Sequence, residues 1–107
     1  MVYQLSVVEL KARLDRAPED VHILDVREAW EIKLCKLPNT VHIPISQVLF
    51  RLHELDRNKP LVVLCHHGIR SFQVAHLLMR EGFTELYNLQ GGIEAWAREI
   101  EPHMSTY

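Results

Sequence analysis

The chain has 107 residues, enough for one core and little more. Twelve Lys and Arg against 14 Asp and Glu leave a net charge of −2, which gives no basis for binding nucleic acid or an anionic membrane. The longest apolar run, Leu61 to Cys65, is five residues and no membrane span; the first residues do not read as a signal peptide, and two cysteines make no disulfide framework, so a reducing cytoplasm is expected.

In chain order, Val2 to Leu5 predict a short strand. Ser6 and Glu9 then form a capping box, and Val7, Leu10 and Leu14 line one helical face. Val21 to Val26 predict a second strand. It runs into Asp25-Val26-Arg27-Glu28, where an acidic residue at a strand end can orient the following arginine toward a neighbouring loop. Ile45, Val48, Leu49, Leu52 and Leu55 recur at helical spacing and predict a helix with one buried face. The polar turn 56–60 leads into Leu61-Val62-Val63-Leu64, whose unbroken apolar character predicts a central strand buried on both faces.

Cys65 follows that strand, and Ser71 is placed to cap a helix reaching about Glu81, with Phe72, Ala75, Leu78 and Met79 as its inner stripe. Gly82 is expected as a left-handed cap with Phe83 folding back. Leu86 to Leu89 predict the last strand. Gly91-Gly92 predict a tight turn, and Ile93, Trp96, Ala97 and Ile100 a final helix. Residues 101–107 read as a frayed tail. Strands alternating with helices call for an α/β fold with a mostly parallel central sheet and helices on both faces.

The chemistry concentrates at Cys65-His66-His67-Gly68-Ile69-Arg70-Ser71. In open parallel sheets, ligands bind at the carboxyl ends of the strands, where Cys65 is expected. Gly68 lets the loop close so that backbone N–H groups point at the cysteine. These dipoles, the following helix N-terminus and Arg70 favour negative charge on sulfur. The bland alternative is a buried structural cysteine. No metal is expected. Cys65, His66 and His67 are adjacent and diverge in a tight loop, and neither they nor Cys35 and His42 show zinc-ligand spacing. The two loop histidines are expected to rim the cup.

The loop Cys65 to Arg70 resembles the active-site loop of the rhodanese family of sulfurtransferases. Asp25-Val26-Arg27-Glu28 with Trp30 and Glu31, Leu37-Pro38, Ile43-Pro44, and Gly91-Gly92-Ile93-Glu94-Ala95-Trp96 resemble further motifs of the same family, in the same order. The resemblance covers roughly residues 3 to 100, which would make 1–107 one rhodanese-like domain. The chain departs from the family at Cys35-Lys36 and at Asn39, where Asn tolerates the left-handed turn. Cys35 reads either as an inert filler of a former Gly position or as a second thiol able to resolve a persulfide.

The resemblance implies a thiosulfate sulfurtransferase without a cofactor. Cys65 would be its nucleophile, His66, His67, Gly68, Ile69, Arg70 and Ser71 the loop that holds the transferred sulfur, and Asp25 a support for local backbone. Arg27 would lie near the cup and bind the anionic end of the donor. The partners would be small sulfur donors and acceptors and a thiol-bearing protein acceptor. Two other readings stay open. Phosphatases and arsenate reductases use Cys-x5-Arg, whereas this chain has Cys-x4-Arg, a ring expected to suit one transferred sulfur atom better than a tetrahedral oxyanion. A non-catalytic regulatory module would keep the fold, although such modules commonly lose the cysteine that is present here.

Overall fold

A computed structural model describes residues 1–107. Strand β1 (Val2–Leu5) leads into helix α1 (Val7–Arg16) through the capping box, in which the Glu9 N–H donates to Ser6 Oγ at 3.1 Å and the Ser6 N–H to Glu9 Oε1 at 2.9 Å. Then follow β2 (His22–Asp25), α2 (Ala29–Leu34), β3 (Val41–His42), β4 (Leu61–Leu64), α3 (Ile69–Arg80), β5 (Leu86–Leu89) and α4 (Gly92–Glu99). All strand pairs are parallel, in the order β1-β5-β4-β2-β3.

β4 occupies the centre because it is apolar on both sides. Leu61 and Val63, with Cys65 beyond them, share a core with Val74, Ala75 and Leu78 of α3. Val62 and Leu64 point to the other face and share a core with Val7 and Leu10 of α1 and Ile93 and Trp96 of α4. Side chains alternate along a strand, so such a strand needs a cover on each face, and the crossover helices supply it. Each buried Leu or Val contributes roughly 1.5–3 kcal/mol. β2 is paired beside β4 with Asp25 opposite Leu64, so residues 26–28 and 65–68 leave the same edge of the sheet.

Five expectations need correction. Residues 45–55 form no α-helix but two 3-10 turns, Ile45–Phe50 and Leu52–Glu54. The apolar residues of this stretch that pack on the core are Ile45, Val48, Leu52 and Leu55, spaced three or four apart, which a 3-10 turn also satisfies. Val48 is buried while Leu49 points to solvent. Helix α3 begins at Ile69, with Gly68 rather than Ser71 as its cap; Ser71 lies in the first turn, fully buried. The buried stripe is therefore Ser71, Val74, Ala75 and Leu78, and Phe72 and Met79 lie partly in solvent. The second strand is shorter than expected, His22–Asp25. The last residues are not frayed: Met104 and Tyr107 are partly buried against the α1/α4 core. The Asn39 turn is left-handed with φ 58°, and at Gly82, with φ 95°, the Phe83 N–H returns to the Leu78 carbonyl at 3.1 Å.

Candidate active site

Cys65 leaves β4 at the carboxyl edge of the sheet, 1% exposed, at the bottom of an open cavity of about 270 Å³ lined by Cys65, His66, His67, Ile69 and Arg70. Its Sγ accepts the Gly68 N–H at 3.1 Å and lies 3.2 Å from Ser71 Oγ. Gly68 reaches this position with φ 97°, in the left-handed region.

The loop's orientation is set from below. The first turn of α4 donates upward, Ile93 N–H to the Cys65 carbonyl at 2.9 Å and Glu94 N–H to the His66 carbonyl at 3.1 Å. From β5, Asn88 Nδ2 donates to the Gly68 carbonyl at 3.1 Å. A trans peptide holds its N–H opposite its C=O, so the N–H groups of His66, His67 and Ile69 point away from α4 and β5. Amides so turned, with the α3 N-terminus beside them, form a cup of N–H groups of the kind that suits an anion.

Ser71 links the sulfur to the sheet. Its hydroxyl donates to Asn88 Oδ1, and Asn88 Nδ2 donates at 3.0 Å to Gln4 Oε1 as well as to Gly68. With the Ser71 proton on Asn88, Ser71 Oγ can accept from a thiol. When Cys65 ionises, the hydroxyl can turn and donate to the thiolate instead.

Arg70 stands on the rim, one-third exposed, in a two-pronged ion pair with buried Glu31 at 2.7 and 2.8 Å. This pairing holds the Glu31 carboxyl down to about 2, helped by the Tyr107 hydroxyl and the Glu28 N–H against the opposing effect of burial. The same bond raises the Arg70 guanidinium. His66 and His67 stack on one another with centroids 3.9 Å apart. Burial, then the neighbouring His67, pushes the His66 imidazole down. His67 reaches Glu94 at 2.9 Å.

Arg27 is not where the resemblance placed it. It is 0% exposed and does not line the cavity. Its guanidinium meets Asp25 through Nε at 3.0 Å and Nη2 at 2.8 Å, and donates to the Cys35 carbonyl at 2.8 Å and the Tyr107 hydroxyl at 3.1 Å. Burial lowers this guanidinium, and the bonds to Asp25 and Tyr107 more than offset it. The charge is matched inside the protein, which leaves Arg27 no free face for a donor. Asp25 also accepts the Arg27 N–H at 3.1 Å and so holds this turn of backbone. Cys35 belongs to the α1/α4 side of the sheet, its Sγ 3.8 Å from Arg27 Nη1, whereas Cys65 belongs to the α3 side.

Three site residues escaped the sequence reading. Glu31 carried a signal, since it stands three residues after Glu28, at the capping-box position of α2, within the Asp25-to-Glu31 motif. Asn88 carried another, as a polar residue pointing inward near the end of an apolar strand. Tyr107 carried none.

A buried thiol at the carboxyl edge of a parallel sheet, ringed by turned amides, defines a cysteine-loop α/β domain. The chain belongs to the rhodanese-like domain family, whose model matches residues 6–99. It is 35% identical over 102 residues to a protein named sulfurtransferase from Allochromatium vinosum, covering 95% of this chain and 94% of that one. It is 31% identical over 84 residues to the thiosulfate sulfurtransferase GlpE of Vibrio cholerae, covering 78% and 79%. It is 34% identical over 98 residues to YrkF of Bacillus subtilis, covering 92% of this chain and about half, 52%, of that longer protein. Among solved structures, a rhodanese-like domain protein from Staphylococcus aureus superimposes with a TM-score of 0.82 at 30% identity, covering 88% and 90%.

Proposed function

We propose that this chain is a sulfurtransferase that carries sulfane sulfur on Cys65. The observation that supports this most directly is the sulfur's position: Sγ at the floor of the cup, 3.1 Å from the Gly68 N–H. In the proposed cycle the Cys65 thiolate attacks the outer sulfur of thiosulfate. The S–S bond of the donor breaks, sulfite leaves with its electron pair, and Cys65 becomes a persulfide. Cyanide or a cellular thiol then attacks the outer sulfur and returns Cys65 to thiolate, in a covalent ping-pong sequence. The turned amides stabilise the persulfide anion as an oxyanion hole would. The names of the relatives from Allochromatium and Vibrio support the sulfur-transfer reading.

The cavity of about 270 Å³ above the ring has room for thiosulfate, so it is not narrow throughout. What the short loop restricts is the floor, where the Gly68 N–H and the Ser71 hydroxyl close on one sulfur atom. That geometry favours a terminal sulfur over a phosphoryl group. A thiol-bearing protein is a further acceptor, and exposed Ile69 on the cup and Trp30 beside Glu31 would give it apolar surface. Free thiols suit a reducing, cytoplasmic setting.

Intact mass after incubation with thiosulfate tests the reading. Cys65 is expected to gain one sulfur atom and to lose it to cyanide, and Cys65→Ser to gain none. Sulfur mapped to Cys35, or aryl-phosphate hydrolysis as fast as thiosulfate consumption, would overturn it.

A further inference from the structure

Tyr107 lies outside the cup but is bonded to what holds the cup's rim. Its hydroxyl donates to Glu31 Oε2 at 2.6 Å and accepts from Arg27 Nη1 at 3.1 Å. Glu31 Oε1 accepts the Glu28 N–H at 2.9 Å, and both carboxylate oxygens accept from Arg70. The Tyr107 ring stacks on His66, centroids 3.8 Å apart and planes 17° from parallel, and meets Trp30 edge-on at 5.8 Å.

A carboxylate held only by a guanidinium fork can pivot with it as one unit. Here each Glu31 oxygen has a second anchor, a backbone N–H on one and the Tyr107 hydroxyl on the other. The hydroxyl is itself held by Arg27, which buried Asp25 locks in place. A continuous chain of hydrogen bonds therefore joins the rigid end of β2 to the exposed rim. Burial, with Glu31 adding to it and Arg27 opposing, raises the Tyr107 phenol to about 12, so it keeps the proton it donates.

We infer that Tyr107 is a positioning residue for the cup. It fixes the Glu31 carboxylate so that the Arg70 guanidinium stays at the rim facing an incoming anion, and its ring backs the His66 wall. As a claim about donor binding this rests on the sulfur-transfer reading; as a claim about Arg70 it does not.

The test compares alkylation of Cys65 by anionic iodoacetate and neutral iodoacetamide, followed by peptide mass so that Cys35 is counted separately. In Tyr107→Phe the iodoacetate-to-iodoacetamide rate ratio is expected to fall about three- to tenfold, with the iodoacetamide rate close to wild type and the melting temperature lowered by several degrees, since buried Arg27 and Glu31 each lose a hydrogen-bond partner. Tyr107→Ala should fall at least as far. Arg70→Ala should fall further, and adding Tyr107→Phe to Arg70→Ala should change the ratio little more, because both act through one guanidinium. In steady-state sulfur transfer Tyr107→Phe should raise the KM for thiosulfate by a similar factor and leave kcat near wild type. An unchanged ratio in both Tyr107 variants, or losses from Tyr107→Phe and Arg70→Ala that multiply independently, would overturn the inference. A wild-type protein that shows the expected alkylation pattern but takes no sulfur on Cys65 would instead overturn the sulfur-transfer reading and leave the positioning role standing.

Discussion

Gly92 lies directly beneath the carbonyl of His66: a Cβ at position 92 would come within 2.3 Å of that oxygen and within 2.5 Å of the Cys65 carbonyl. The absence of a side chain is what lets the first turn of α4 hydrogen-bond to the loop. The Cys65 loop and the last helix are thus one unit joined through a glycine.

Gly92→Ala is therefore expected to cost at least about 3 kcal/mol, since it combines a left-handed φ of 61° with a backbone collision. It should also abolish persulfide formation in whatever fraction remains folded. Gly82→Ala is the control. Its φ is 95°, but its nearest neighbour is Arg57 Nε at 3.7 Å, so only the backbone penalty of about 1–2 kcal/mol applies. Urea denaturation of both variants would check the contrast, and equal losses would contradict it.

Removing Arg70 alone should be worse for stability than removing its charge pair. Arg70→Ala leaves the buried Glu31 carboxylate without its main partner, at a cost of about 1–3 kcal/mol. The double variant Glu31→Gln with Arg70→Ala is expected to recover part of that loss, because no uncompensated charge remains. A double-mutant cycle by chemical denaturation reads this directly, and strictly additive losses would show that the pair is not coupled.

The same pair gives a pH dependence. The Glu31 carboxyl is held at about 2 against an ordinary 4.5, by Arg70 first. A folded-state pKa below the unfolded one stabilises the protein above the unfolded value, and the gain disappears as pH falls through the folded value. Between pH 4.5 and 2, wild type should lose about 2–3 kcal/mol more than Glu31→Gln, measured by urea titrations at fixed pH. Parallel curves would place the acid sensitivity elsewhere.

Ser71→Ala is expected to cost about 1–3 kcal/mol, because buried Asn88 loses the hydroxyl that donates to its Oδ1. It should also slow sulfur loading of Cys65 by about tenfold or more, since the thiolate and persulfide lose a donor close to the reacting sulfur. Single-turnover loading followed by mass would measure it. Loading at the wild-type rate would mean that the loop amides suffice.

Several features were set by the amino-acid sequence alone. The capping box of Ser6 and Glu9, the left-handed turns at Asn39 and Gly82, the central position of Leu61 to Leu64 and the placement of Cys65 at a strand end were all legible. Each depends on residues within about a turn of one another, or on an alternation that any extended chain must obey. What only the tertiary structure decided is which side chains meet across elements. Ser71 suits a helix cap, but packing against Cys65 and Asn88 draws it inside and leaves the cap to Gly68. Phe72 is turned outward because that face of α3 must carry Ser71 to the sulfur. Arg27 resembles a substrate contact in sequence, yet Asp25, Cys35 and Tyr107 together use its guanidinium. Tyr107 is separated from Glu31 by 76 residues along the chain, and no local pattern encodes that bond. Short-range periodicity chooses elements and faces; charge pairing in a buried space depends on which elements are brought together, and that is settled only when the sheet is assembled.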